Sequence, residues 1–445
     1  MKRSNLMIPL LLLALHGGAQ TVKRISLPEA LTMAATGNRQ LQIQALEEVR
    51  QREVTKETRS RLLPNVAASG SYLRYFDRQV IFLPGSFAGT EKPVQDVAVG
   101  GKNAFNGYVS ASQPLLNEGA RRQTKTAVYD EKIQREKTAD LRGNLGTQIS
   151  IFYYDMLLMQ SQIALHQQSL ARNEKALKDT RSLFAQGRSL KQDTLRAFIA
   201  VENLRTAIAY LQNNLDVAGI QLKRLIGMDD AVTIGLSDTL VAELPAEGAY
   251  ELESAIATAV QHRPDMAVQK LLTAKSGLEL AVAKAERIPQ INAVGQYQLQ
   301  AQADNFRLGQ YAWPPTSFVG LQVAVPIFNG NRIKTKVSQA EIRIKQETIG
   351  QEDLAQSVRS ELASLLSQWK ETNEQLRIQQ RTVELAGISY TMMDDRYRNG
   401  LSTRLELTDA ELALTQAKLN YLQAVYYHKV TQVRLRRAQG LLQLP

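Results

Sequence analysis

The chain of 445 residues has no cysteine, four histidines and only 6% aromatic residues. Without a thiol there is no disulfide framework, iron–sulfur cluster, Cys-ligated zinc or Cys nucleophile. His16, His166, His262 and His428 stand far apart, and none has a second His or a carboxylate at a spacing that reads as a metal motif. The patterns G-x-S-x-G, H-E-x-x-H and G-x-x-x-x-G-K do not occur, and Asp394-Asp395 lie in a helical stretch, where solvated charge is the plain reading. No catalytic residue, cofactor or metal is therefore expected. Gly 26 and Pro 13 are too few for a disordered or collagenous protein. The net charge of +11 is spread along the chain and leaves no concentrated footprint for nucleic acid.

Long hydrophobic runs are also missing, so no transmembrane helix is expected. The apolar stretch Leu6 to Leu15 follows Lys2 and Arg3 and precedes Gly17, Gly18 and Ala19. At about ten residues it is too short to cross about 30 Å of hydrocarbon as a helix. Residues 1–19 read as a secretory signal peptide, cut after Ala19. An exported chain without a membrane helix is either soluble or a barrel.

What the chain does have is internal repetition. Placing Pro64 over Pro289 also pairs Leu27 with Leu252, Ala30 with Ala255, Ala34 with Ala259, Leu46 with Leu271, Gly70 with Gly295 and Tyr72 with Tyr297, with no gap. Pro114-Leu115-Leu116-Asn117 resembles Pro326-Ile327-Phe328-Asn329. A third match sets Phe184, Gly187, Ser189, Ala197 and Gly227 over Tyr397, Gly400, Ser402, Ala410 and Gly440. The order is the same in both halves, which reads as two copies of one unit. The expected division is a first repeat over 20–227, a linker over 228–250 and a second repeat over 251–445. Within the linker, Ser237 to Leu244 reads as a short strand.

Each unit reads as helix, two strands, long helix, turn and helix. Apolar positions recur at helical spacing over 26–63, and Pro64 stops that helix. Residues 290–302 alternate, with Ile291, Ala293, Gly295, Tyr297 and Leu299 on one face against Asn292, Gln296, Gln298 and Gln300 on the other. Residues 317–327 form a second strand, and the first half repeats the theme at about 66–77 and 104–114. One apolar and one amide face match strands of a transmembrane barrel. Nine aromatics cluster near these strands, from Tyr72 and Phe105 to Phe306, Tyr311 and Trp313, and some are expected to form an interfacial girdle. Residues 119–186 and 331–398 contain no Pro; as helices each would be about 100 Å long, a length that needs lateral support. Heptad steps through Leu405, Leu412, Leu419, Tyr426 and Val433, and through Leu204, Leu211, Ala218 and Leu225, point to coiled-coil packing.

Four strands cannot close, and open edges facing lipid would cost several kcal/mol per unsatisfied group. Chains must then combine, and three chains would give twelve strands under cyclic symmetry. The duplicated plan, the Leu62-Leu63-Pro64 step into a strand, the PLLNEG and PIFNGN steps and the turns LFAQGRSLKQDTLRA and RYRNGLSTRLELTDAE together resemble the TolC family of outer-membrane efflux proteins over nearly the whole mature chain. The resemblance implies a mainly helical fold with long hairpins in a periplasmic α-barrel, and four strands per chain in a twelve-stranded trimeric β-barrel. It also implies a passive export duct in the outer membrane, working as a homotrimer with a periplasmic adaptor and an inner-membrane transporter. Residues 78–103 and 303–317 would be external loops. Matching positions for the periplasmic gate are Tyr397, Glu406, Asp409 and Asp193; those for adaptor docking are Gly187, Ser189, Gly400 and Ser402. An Arg often found two residues after the second Gly is Ser402 here, with Arg404 nearby, so the gate network would be rewired. From the residues alone, a soluble periplasmic coiled-coil scaffold remains the alternative. Neither reading identifies the cargo.

Overall fold

A computed structural model describes residues 23–242 and 251–444. The leader expected over 1–19 and the linker residues 243–250 lie outside the described residues. The elements run β1 (Lys23–Ile25), α1 (Leu27–Gly37), α2 (Arg39–Ser60), β2 (Asn65–Arg74), β3 (Gln79–Pro84), α3 (Gly85–Ala88), β4 (Val94–Val99), β5 (Asn103–Leu116), α4 (Glu118–Ala185) and α5 (Lys191–Ile226). They continue as β6 (Ile234–Leu236), α6 (Leu252–His262), α7 (Pro264–Ala285), β7 (Gln290–Ala303), β8 (Pro315–Ala324), α8 (Arg332–Arg398) and α9 (Arg404–Ala438). Elements paired by the sequence match have equal or nearly equal lengths: 11 residues in α1 and α6, 22 in α2 and α7, 68 and 67 in α4 and α8, 36 and 35 in α5 and α9. Among the described residues, no helix is long and apolar enough to cross a membrane.

The single helix expected over 26–63 is in fact two, broken at Asn38. Asn38 leaves the helical region (φ −68°, ψ 122°), and its side-chain oxygen accepts from the Gln40 and Leu41 amides at 2.9 and 3.1 Å. Its Nδ2 donates to the Leu225 carbonyl at the end of α5, 2.8 Å away. The second half solves the same problem differently. Arg263, held extended before Pro264, donates to the Ala438 carbonyl at the end of α9 at 3.1 Å and pairs with Asp265 and Glu361. Gly227 and Gly440, at φ 71° and 75°, follow α5 and α9, and each lies against the helix break of its own half. A Cβ on Gly227 would stand 2.1 Å from the Gly37 carbonyl oxygen.

The described chain divides into two compact units, each drawing on both halves of the sequence. One comprises the chain up to Ala45, Lys137–Met266 and Leu354 onward; the other comprises Leu46–Glu136 and Ala267–Asp353. The first unit holds the apolar cores. Ile25, Ala30, Ala34, Ile149, Tyr153, Leu222 and Leu376 form one buried cluster, and Ala255, Ala259, Leu362, Trp369 and Leu435 another. Burying each large aliphatic side chain contributes about 1.5–3 kcal/mol. Fully buried Tyr153 places its hydroxyl 2.8 Å from Asp238 Oδ2 and 3.0 Å from the Ile25 carbonyl, and Asp238 also accepts from the Leu27 amide. The expected short strand of the linker sits earlier than Ser237: β6 pairs in parallel with β1, from Lys23 opposite Ile234 to Ile25 opposite Leu236. Beyond Leu236 the ladder stops, and Asp238 turns its carboxylate to the start of α1 and to Tyr153.

The second unit is built on a four-stranded antiparallel sheet in the order β2-β5-β7-β8. Its helices meet through polar side chains: Lys275 pairs with Asp130 at 2.7 Å, Thr55 Oγ1 donates to the Ala127 carbonyl, and Glu286 pairs with both Arg332 and Lys336. The register places Val66, Ala111, Gly295 and Val319 in one row, and Ala68, Val109, Tyr297 and Ser317 in the next row of that face. The opposite face has rows such as Ser69, Tyr108, Gln298 and Thr316. Residues 78–103, expected as a loop, contain the hairpin β3–β4 with α3 at its turn. The apolar run Val80–Leu83 before Pro84-Gly85 and the valines at 94, 97 and 99 after it carried that signal. Arg78 pairs with Asp304, whose carboxylate also accepts from the Lys102 amide. Tyr72, Phe105, Phe306, Tyr311 and Trp313 form one aromatic cluster, with Tyr72 and Phe105 centroids 4.9 Å apart.

Candidate functional site

Both helical hairpins of the first unit reverse through the same backbone device. At the end of α4, Gly187 takes φ 72°; its N–H donates to the Phe184 carbonyl and that of Arg188 to the Leu183 carbonyl. At the end of α8, Gly400 takes φ 72°; its N–H donates to the Tyr397 carbonyl and that of Leu401 to the Arg396 carbonyl. Left-handed glycine lets these last carbonyls be satisfied while the chain turns back.

The entries to the returning helices differ. Thr403 caps α9: its hydroxyl accepts from the Glu406 amide at 3.3 Å, and the Glu406 carboxylate accepts from the Thr403 amide at 2.7 Å. Neighbouring Ser402 leaves the cap to Thr403 and directs its hydroxyl to the Met393 carbonyl at 3.5 Å. At the other tip, Leu190 is the cap residue and offers no side-chain acceptor. Asp193 compensates, accepting from the Leu190 amide at 3.3 Å and from the Ser189 hydroxyl at 3.1 Å. The capping contact has an electrostatic consequence for Glu406. The Thr403 amide, then the Thr403 hydroxyl, hold its carboxyl below the usual glutamate range.

The two tips meet at a cleft of about 430 Å³, with Gly187, Ser189, Leu190 and Asp193 on one side and Tyr397 and Arg404 on the other. The Arg404 guanidinium lies 5.7 Å from the centre of the Tyr397 ring, within cation–π range. Arg404 thus places a cation at the face of this aromatic. Asp409 is exposed on α9, outside this cleft, and so is Glu406. The structure brings together Tyr397, Asp193, Gly187 and Ser189; Gly400, Ser402, Glu406 and Asp409 belong to the second turn and the exposed start of α9.

Sequence reading missed a polar seam joining α4 to α9. Arg172 donates to Glu411 at 2.8 Å and to the Ser169 hydroxyl at 2.9 Å; Ser169 lies 3.3 Å from Thr415, and Asn173 reaches Glu411. The Glu411 side chain is only 9% exposed. Burial, with the negative charges of Glu411 and Asp394, raises the Tyr390 phenol. The available signal was polar residues at helical spacing, Ser169 with Arg172 and Glu411 with Thr415, interrupting apolar seams. Among the described residues, no cluster of three or more His, Asp or Glu could hold a metal ion.

The cation efflux system protein CusC of Escherichia coli K12 is 25% identical over 302 residues, covering 66% of this chain and 64% of that protein, so the chain spans just under two thirds of that relative's length. The probable efflux pump outer membrane protein TtgC of Pseudomonas putida is 23% identical over 93% of this chain and 83% of that protein. The solved outer-membrane channel OprN superposes with a TM-score of 0.76 at 19% identity, over 94% of this chain and 91% of that one, a likeness of fold. Residues 30–228 and 255–441 match the outer membrane efflux protein family, and the chain belongs to that family.

Proposed function

We propose that the protein is an outer-membrane export duct: a homotrimer whose twelve strands close one β-barrel, continued by a periplasmic α-barrel of the long hairpins. The observation that carries this reading is the sheet. It is four strands wide with β2 and β8 at its margins, and one face exposes Val66, Val109, Tyr297, Val319, Leu321 and Val323. Val319 is 91% exposed. Such a face is stable against hydrocarbon, and such margins are stable there only when paired with further strands. A soluble periplasmic scaffold would leave the same face in water, which argues against it.

The two halves act in this reading as repeats of one unit, each supplying two strands and one hairpin. The tips at Gly187, Ser189, Gly400 and Ser402 are the docking points for a periplasmic adaptor, through which the duct meets an inner-membrane transporter. Tyr397 and Asp193, which share one cleft, and Glu406 and Asp409, which lie on the exposed start of α9, form the gate. Three copies of the two α9 carboxylates around an axis would focus negative potential at the entrance. The duct itself needs no catalytic group, since energy enters through the transporter.

Fractionation of cells followed by light scattering in detergent tests the proposal. A protein that leaves the outer membrane only with detergent, at three chains per particle, supports it. A soluble monomer or dimer in the periplasmic fraction refutes it.

A further inference from the structure

The inference concerns the second face of the sheet and rests on the barrel reading above. Across β2, β5, β7 and β8 a single charged residue occurs, Arg74 at the last position of β2, in a chain that is 22% charged. Absence of charge is required on the face that meets lipid. Nothing requires it on the other face, where water would solvate ions.

That other face is mostly amides and hydroxyls, with Leu73, Val294 and Phe318 set among them and no charge. Its rows, read across the strands, include Ser71, Asn106 and Gln300; Ser69, Tyr108, Gln298 and Thr316; and Ala67, Ser110, Gln296 and Phe318. Gln296 Nε2 donates to Gln298 Oε1 at 2.9 Å along β7, so neighbouring amides order one another. An amide offers donors and acceptors in equal measure and no net field. A solute moving along such a wall exchanges water hydrogen bonds for amide ones and is neither repelled nor trapped by its charge.

We infer that the barrel segment has a charge-free, hydrogen-bonding inner wall that passes hydrated polar solutes of either sign without discrimination. Charge selection, wherever it occurs along the path, lies outside the strands.

Because the chain has no cysteine, a single introduced thiol is the only one present. The test uses full-length protein in lipid vesicles. Gln298→Cys and, as a second position on the same face, Gln296→Cys are labelled with a cationic and an anionic methanethiosulfonate reagent, each rate normalised to that with a free small thiol. Val319→Cys on the apolar face is the control. The expected result is ready labelling at both Gln positions at equal normalised rates, and little at Val319. Adding Gln300→Glu to Gln298→Cys should then favour the cationic reagent by about sevenfold, the ratio that a local potential of about one kT gives for opposite unit charges. Strongly unequal rates without Gln300→Glu would overturn the neutral wall while leaving the barrel intact. Labelling of Val319→Cys as fast as Gln298→Cys would mean that water reaches both faces, and the barrel reading itself would fall.

Discussion

Gly187 and Gly227 share one left-handed backbone conformation, and their surroundings separate them. Nothing lies within 4 Å of a Cβ built on Gly187, whereas one on Gly227 meets the Gly37 carbonyl oxygen at 2.1 Å. Gly187→Ala therefore carries only the conformational cost, about 1–2 kcal/mol. Gly227→Ala adds a clash with backbone that no rotamer relieves. Thermal unfolding in detergent should show a small fall in Tm for the first and loss of folded protein for the second. The pair of half-buried Arg172 and buried Glu411 behaves differently again. Glu411→Ala strands the guanidinium and should cost about 1–3 kcal/mol, while the double change Arg172→Met with Glu411→Met should recover most of that loss, since an apolar pair of similar volume needs no desolvation. Equal Tm values for the single and double variants would refute the coupling.

Helix α9 begins on a reciprocal cap, and helix α5 does not. Thr403→Ala should cost about 1 kcal/mol of local stability, the usual value of a lost cap, read as faster hydrogen exchange in the first turn of α9. The cap also carries a pH dependence. Glu406 has a folded-state pKa below its unfolded one because the Thr403 amide and hydroxyl bind its charged form. Its contribution is therefore fully present above the ordinary glutamate value of about 4.3 and is lost as pH falls through the depressed folded value. Protection of the amides at the start of α9, measured as exchange relative to the intrinsic rate at each pH, should fall over that acidic window, and Glu406→Gln should flatten the response. Protection that ignores pH there would show that the carboxylate contact contributes nothing in solution.

At the scale of the whole molecule, the two faces of the sheet make opposite predictions. Val319→Arg places a charge on the apolar face and should cost about 2–4 kcal/mol near the bilayer midplane, falling toward the interfaces; the yield of folded protein in the outer membrane should drop. Gln296→Arg, on the amide face, should assemble normally. The proposed gate makes a prediction about ions. Glu406→Gln with Asp409→Asn should reduce the cation selectivity of the reconstituted channel, measured as the reversal potential in a salt gradient. An unchanged reversal potential would remove both residues from the constriction.

The sequence by itself determined much of the local plan. Pro64 and Pro289 stop helices because the residue before proline is driven out of the helical region. Alternation over 290–302 gives a strand because side chains switch faces at each residue, and the glycines at 187 and 400 mark turns because only glycine takes a left-handed φ without strain. Tertiary structure decided what local signals leave open. Asn38 breaks a helix because its side chain finds the Leu225 carbonyl, a partner 187 residues away. Asp238 ends up beside Tyr153 and the start of α1, and Arg172 beside Glu411, through packing between distant segments. Arg404 takes its place over Tyr397 because the second turn folds back on its own helix. Periodicity fixes which face a residue occupies. Which groups then meet across that face depends on long-range geometry that no window of sequence contains.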